Sequence, residues 1–196
     1  KCSGDMLYLI WQEGMTLRER SIDKIIKKLK KGDEKAFDTI YEMYVKLIYH
    51  VIFQIVKNKL DAEDLTQEVF VKMYENIQSL KDNVQFKYWF LQIAKNHALN
   101  YVKKKSYVLN DEYIRNMAAR EEVVDDFEDL LNQFKGVLNA DEIDIIALHL
   151  YHRMTFREIG LLREETTSAV NNKYARAIKK VREFYKEGGI FLWKKV

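Results

Sequence analysis

Between Asn83 and Asn110 the charged side chains are Lys87, Lys95, Lys103, Lys104 and Lys105, five cations with no acid among them. Tyr88, Trp89, Phe90 and Tyr101 are interleaved with these lysines and with the amides Gln92, Asn96 and Asn100. Cations neutralise phosphates, rings stack on unpaired bases and amides hydrogen-bond base edges, so the combination has the chemistry of a single-strand nucleic-acid surface. The competing reading is a solvated helix face whose aromatics belong to the core. At the helical period, Phe86, Trp89, Phe90, Ile93 and His97 form one stripe, with Trp89 read as core. Tyr88, Lys95, Asn96, Asn100 and Lys103 then project elsewhere.

The segment upstream is acidic. Asp61 is placed to cap a helix, with Glu63 and Asp64 in its first turn favouring the positive end of the dipole. Leu65, Val69, Met73 and Ile77 follow at spacings of four and predict a buried face. Asp64, Gln67, Glu68 and Val71 share another face, because steps of three and four bring side chains together.

A second constellation lies near the C terminus. Asn139 with Glu142 predicts a capping box for a helix to about Tyr151, and Thr155 with Glu158 predicts another for a helix to about Leu162. A third helix from about Thr167 carries Val170, Tyr174, Ala177, Ile178 and Val181 as its packed stripe. Ser168, Asn171, Asn172, Lys173, Arg176, Lys179 and Lys180 lie on its other faces. Asparagine can read an adenine edge and arginine a guanine or a phosphate, as a recognition helix in the major groove requires.

The elements that must position these groups are helical. The chain of 196 residues has no proline and only seven glycines, and apolar spacings of three and four recur throughout. The fold class expected is all-α, in two small domains. Ser21 can cap a short helix ending at Gly32. Asp33 can cap the next, which carries Ala36, Phe37, Ile40, Tyr44, Leu47, Ile48 and Val51 inward and reaches about Asn58. From Asp111 to Asp144 there are eleven acids against three bases, a net −8, within an overall charge of +3; basic surfaces flank an acidic middle. The expected boundaries are an N-terminal extension over 1–20, a first domain over 21–105, a flexible linker over 106–127, a helix-turn-helix domain over 128–187 and a tail over 188–196. Within the extension, Met15 is a plausible natural start.

Asp61-Ala-Glu-Asp-Leu-Thr-Gln-Glu-Val-Phe70 and Phe86-Lys-Tyr-Trp-Phe-Leu-Gln-Ile-Ala-Lys-Asn96 resemble the second conserved region of the sigma-70 family of bacterial transcription initiation factors, specifically its extracytoplasmic-function (ECF) group. Lys31-Gly-Asp-Glu-Lys-Ala-Phe37 resembles the opening of that region. Glu158-Ile-Gly-Leu-Leu162 and Val170-Asn-Asn-Lys-Tyr-Ala-Arg-Ala177 resemble the fourth region, in register and in the right order. The resemblance implies that Asp64, Gln67, Glu68 and Val71 dock on the clamp of the beta-prime subunit of core RNA polymerase, with the beta flap as a second polymerase contact. It implies that the loop Ser79 to Gln85 holds an extruded base, with Asn83 and Gln85 as candidates, and that Tyr88, Lys95, Asn96, Asn100 and Lys103 take the melted minus-ten strand. Thr167, Ser168, Asn171, Asn172, Lys173, Arg176 and Lys179 would then bind the minus-thirty-five element. Promoter DNA and an anti-sigma factor are the further partners implied. One departure stands out, since the family usually has glycine in the turn where this chain reads Arg163-Glu164-Glu165.

Enzymatic readings find little support. There is no phosphate-cradling glycine loop and no nucleophile with its base. His149 and His152 have metal-ligand spacing without completing ligands, so neither a metal nor a cofactor is expected. The single cysteine, Cys2, cannot form an internal disulfide and fits a reducing cytoplasm. The apolar run Met6 to Trp11 is too short to span a bilayer. Two alternatives to a sigma factor are a helix-turn-helix regulator acting without polymerase and a helical adaptor without DNA contact.

Overall fold

Helix α1, described over 21–29, ends at a left-handed Gly32 (φ 81°). The amide of Asp33 donates to the carbonyl of Lys28 (3.2 Å) and that of Gly32 to Leu29 (2.9 Å). This is a Schellman stop, and glycine is needed there because a Cβ disfavours that backbone conformation. The computed structural model describes residues 21–108, 134 and 136–186. The extension with Met15, the acidic linker from residue 109 onward and the tail lie outside the described residues.

Asp33 caps α2 (Glu34–Val56) by accepting from the amide of Ala36 at 3.2 Å. Ile40, Ile48 and Ile52 on its inner face are fully covered. Phe37 is only half-buried, and the helix stops at Val56 rather than Asn58 because Lys57 turns left-handed (φ 55°). Residue 21 is already helical, so Ser21 does not precede its helix as a cap. Helix α3 (Lys59–Asn76) begins earlier than its acids suggest. Asn58 is the cap, accepting from the amide of Asp61 at 3.0 Å, and Asp61 stands in the first turn.

Two short 3₁₀ turns, Ile77–Ser79 and Asn83–Gln85, lead into α4 (Phe86–Val108), which runs past the expected boundary at 105. Helices α2, α3 and α4 pack against one another. Their meeting point is aromatic, with Phe70 against Phe90 at 5.1 Å and Tyr44 against Phe86 at 5.5 Å between ring centres. Burying each phenylalanine stabilises the bundle by about 1.5–3 kcal/mol. Phe86, Phe90, Leu91, Ala94 and Ala98 form the covered face of α4. Trp89, Ile93 and His97 flank that face and are half-buried. Trp89 is thus not core as expected, because two neighbours, α2 and α3, draw the buried stripe round to Leu91 and Ala94.

The described residues fall into two compact units, 21–108 in one and 134 with 136–186 in the other. In the second unit, Asn139 caps α5 (Ala140–Ile146) with both hydrogen bonds of a capping box in place. The chain continues through a wider π turn, Ala147–Tyr151, in which the amide of His152 reaches the carbonyl of Ala147 at 3.0 Å. Thr155 and Glu158 make the second capping box, opening α6 (Phe156–Arg163). After the turn comes α7 (Thr167–Lys186). Phe134, Leu138, Ile146, Ala147 and Ala177 form a core cluster, with Tyr174, Ile178 and Val181 partly buried against it.

Candidate nucleic-acid interface

Leu65, Val69, Met73 and Ile77 of the α3 segment are buried, as their spacing requires. Asp64, Gln67, Glu68 and Val71 are all exposed. The exposed face is also more apolar than solvation alone favours, since Leu60, Val71 and Tyr74 leave 67%, 56% and 45% of their surface in water. Leu60, Asp64, Gln67, Val71 and Tyr74 are spaced by four, three, four and three residues, the repeat of a seam that receives another helix. A helix with one face in the core and this opposite seam in water has a docking surface.

Two cross-helix pairs set that surface against α4. Glu68 and the Nε2 of His97 are 2.6 Å apart, and Lys105 donates to Asp61 at 2.7 Å. Lys105, counted among the cations of the basic segment, therefore ties the end of α4 to the start of α3. It also lies 5.2 Å from the centre of the Tyr101 ring. Burial raises the ionisation range of the Tyr101 hydroxyl, against the hydrogen bond from Lys105.

On α4, Tyr88, Asn96, Asn100 and Lys103 are exposed and Lys95 is half-exposed. They sit off the covered stripe, so cations, ring and amides share the solvent side of one helix. Gln85 is exposed and donates to Asp82 at 3.2 Å. Asn83 is half-buried, and its amide NH₂ is held by Asp23 of α1 at 2.9 Å.

In the second unit Thr167, Ser168, Asn171, Asn172, Arg176 and Lys179 are exposed along α7. Lys173 differs, because it is bound to Asp141 (3.0 Å) and Glu165 (2.8 Å). Arg163 contacts Asp141 and Asp144 through its two terminal nitrogens and Glu165 through Nε at 3.0 Å. Lys180 reaches Glu142 at 2.7 Å. Hence Asp141, Glu142 and Asp144, three acids of the acidic middle, are neutralised inside the second unit. Lys173 contributes to a network joining α5, the turn and α7, which competes with the DNA-contact role expected of it.

The turn is left-handed at Glu164 (φ 60°, ψ 37°), whose amide donates to the carbonyl of Gly160. A separate requirement for glycine stands at Gly160, inside α6. A Cβ there would approach the carbonyl oxygen of Glu165 to 2.7 Å, so only glycine lets the turn fold back on α6. Replacing Glu164 by glycine removes the left-handed penalty of about 1 kcal/mol. Glu164→Gly is expected to raise the melting temperature of the second unit by about 4–8 °C, read by calorimetry of the full chain. A lowered value would mean that the carboxylate contributes more than the backbone conformation costs.

His149 is a packing residue. Its Nδ1 lies 2.8 Å from the carbonyl oxygen of Met154, and its ring stacks on Phe156 at 4.3 Å. Among the described residues no group of three or more His, Cys, Asp or Glu could hold a metal ion, and no helix is long and apolar enough to cross a membrane. The pairs Glu68–His97, Asp23–Asn83 and Arg163 with its three acids escape a reading of the sequence. Each joins residues 19 to 60 positions apart, or in one case two, with no local signature.

Residues 40–107 match the family described as Sigma-70 region 2. The chain is similar to the ECF RNA polymerase sigma factor SigW of Bacillus subtilis, 39% identical over 87 residues that make up 44% of this chain and 46% of that protein. It thus spans less than half the length of that relative. The similarity to the ECF RNA polymerase sigma factor SigM of the same organism is 25% over 159 residues, 78% of this chain and 97% of that protein. The fold matches the structure of the sigma factor RpoE in complex with the anti-sigma factor NepR from Bartonella quintana, with a TM-score of 0.56, 17% identity, and coverage of 78% of this chain and 98% of that one. The exposed seam on α3 and the basic solvent face of α4 both lie within the residues that match Sigma-70 region 2, and over that part the chain is similar to RNA polymerase sigma factors of the ECF type.

Proposed function

We propose that the chain acts as a dissociable promoter-specificity subunit of RNA polymerase. The exposed seam of α3, with Asp64, Gln67, Glu68 and Val71, docks on the clamp of the beta-prime subunit. This is the observation that carries the reading, because a helix whose inner face is fully packed gains nothing for its own fold by leaving Leu60, Val71 and Tyr74 in water. The solvent face of α4, with Tyr88, Lys95, Asn96, Asn100 and Lys103, takes the melted minus-ten strand. Asn83 and Gln85 receive an extruded base, at a cost of about a few kcal/mol in unstacking. In α7, Asn171 and Arg176 read base edges of the minus-thirty-five element, while Thr167, Ser168, Asn172 and Lys179 fix its register on the backbone. The second unit also meets the beta flap.

The boundaries proposed are 21–108 for polymerase docking and melting, moved from the expected 105 to the end of α4, 109–127 for the linker and 128–187 for upstream recognition. The protein performs no catalysis of its own and works where polymerase does, in the cytoplasm. An anti-sigma factor is a further partner, by analogy with the complex of RpoE and NepR from Bartonella quintana. On this chain it would cover the surfaces that polymerase and promoter otherwise occupy.

Runoff transcription with core polymerase over a pool of genomic promoters tests this directly. Replacing Lys95 and Asn96 together by alanine is expected to reduce permanganate reactivity of promoter thymines about tenfold, with polymerase binding nearly unchanged, since stacking and phosphate contacts of this size contribute about 1–3 kcal/mol. Equal melting by the variant and its parent would reduce this face to a solvated surface. DNA binding without polymerase-dependent transcription would favour the free regulator instead.

A further inference from the structure

Glu68, on the exposed face of α3, is tied to a neighbouring helix. Its Oε2 lies 2.6 Å from the Nε2 of His97 on α4. A carboxylate only accepts hydrogen bonds, so that ring nitrogen carries a proton and donates whatever the charge of the ring. The two side chains differ in setting, with 21% of His97 and 58% of Glu68 exposed. His97 stands three positions from Ala94 and one from Ala98, both fully covered, where α3 and α4 pack together. Packing therefore fixes the ring, and the ring fixes one oxygen of a carboxylate that is otherwise in water.

The second oxygen of Glu68 stays available to accept from a partner. Without the bond to His97, an exposed glutamate samples several rotamers. Lys72, four residues further along α3, then offers a competing ion pair that turns the carboxylate along its own helix. Ordering such a side chain at the moment of binding lowers affinity, and ordering it beforehand restores that loss. Asp64 and Val71, about one turn to either side, share the exposed face with Glu68, so the carboxylate is held in the middle of the docking surface.

We infer that His97 is a positioning residue for polymerase docking: through Nε2 it holds the Glu68 carboxylate on the exposed face of α3, where the second oxygen accepts from a cationic side chain of the clamp. The inference rests on the proposed docking role of that face. Its consequence is that α4, assigned above to the melted strand, also contributes to assembly of the holoenzyme.

The test is equilibrium titration of the labelled full chain with core polymerase, with circular dichroism of each variant beside it. His97→Leu keeps an apolar side chain between the helices but has no donor, and it is expected to weaken binding about five- to tenfold. His97→Gln supplies an amide donor and should restore most of the parent affinity. Glu68→Ala should weaken binding at least as much as His97→Leu, and the double variant should lose no more than Glu68→Ala alone. The loss caused by Glu68→Ala should shrink as salt is raised, because the partner group is a cation. If Glu68→Ala weakens binding and His97→Leu does not, the positioning role is wrong while the docking reading stands. If Glu68→Ala changes nothing, Glu68 is no docking residue and the inference fails with it. Equal weakening by His97→Leu and His97→Gln, or additive losses in the double variant, would assign the effect to packing of the ring and overturn the positioning role. A Glu68→Ala loss that ignores salt would overturn the cationic partner.

Discussion

Charge reversal of Asp64 to lysine combined with Gln67→Ala is expected to lower affinity for core RNA polymerase by about 100-fold or more, because two central residues of a docking seam typically contribute about 2 kcal/mol each. Helicity should not change. Both side chains are exposed, and the buried stripe of α3 lies on the opposite face. Glu68 stays unchanged in this variant, since its partner is His97 at 2.6 Å and its loss would mix docking with the packing of α4. Size-exclusion co-elution with core polymerase, run beside circular dichroism, reads both quantities. A folded double variant that co-elutes normally would remove α3 from the docking surface.

Arg163→Met should be the most damaging single change in the second unit. It leaves Asp141, Asp144 and Glu165 without their shared guanidinium, and Lys173 alone cannot balance three carboxylates. Breaking a buried pair costs about 3–5 kcal/mol, and partial exposure reduces this to about 2 kcal/mol. The helix-turn-helix should melt about 8–16 °C lower at neutral pH, and upstream-element binding should weaken because Arg163 joins α5 to the turn that sets α7. The acid dependence has a definite sign. Glu165 is held below the ordinary glutamate range, by Lys173 first and Arg163 next, against its burial. A carboxyl depressed in the folded state contributes stability above its unfolded range and loses it as pH falls through the folded one. The difference between parent and variant should therefore shrink below about pH 4. A gap that persists undiminished at pH 3 would assign the effect to packing of the arginine stem instead of charge.

The sequence determined by itself whatever depends on neighbours within one or two turns. Asp33, Asn139 and Thr155 cap the helices their spacing announces, and Gly32 stops α1, because a cap needs only residues three positions apart. The two faces of α3 follow from the helical period alone. So does the placing of Asn171, Arg176 and Lys179 on the open side of α7. Local reading failed by a few residues where two local solutions compete, as when Asn58 took the cap that Asp61 was equipped to provide.

Only the tertiary structure decided which polar groups are spoken for. Lys105 and Lys173 look like nucleic-acid lysines in the sequence, yet each is paired with carboxylates on another element. Asn83 looks like an open amide, yet Asp23 holds its donor end from 60 positions away. The close return of Glu165 over Gly160, which leaves no room for a Cβ there, likewise shows only in the folded chain. The physical reason is common to all of these. A hydrogen bond or ion pair is formed by groups that packing brings within about 3 Å, and packing is set by the buried apolar stripes of separate helices, not by the spacing of the polar residues that come to meet.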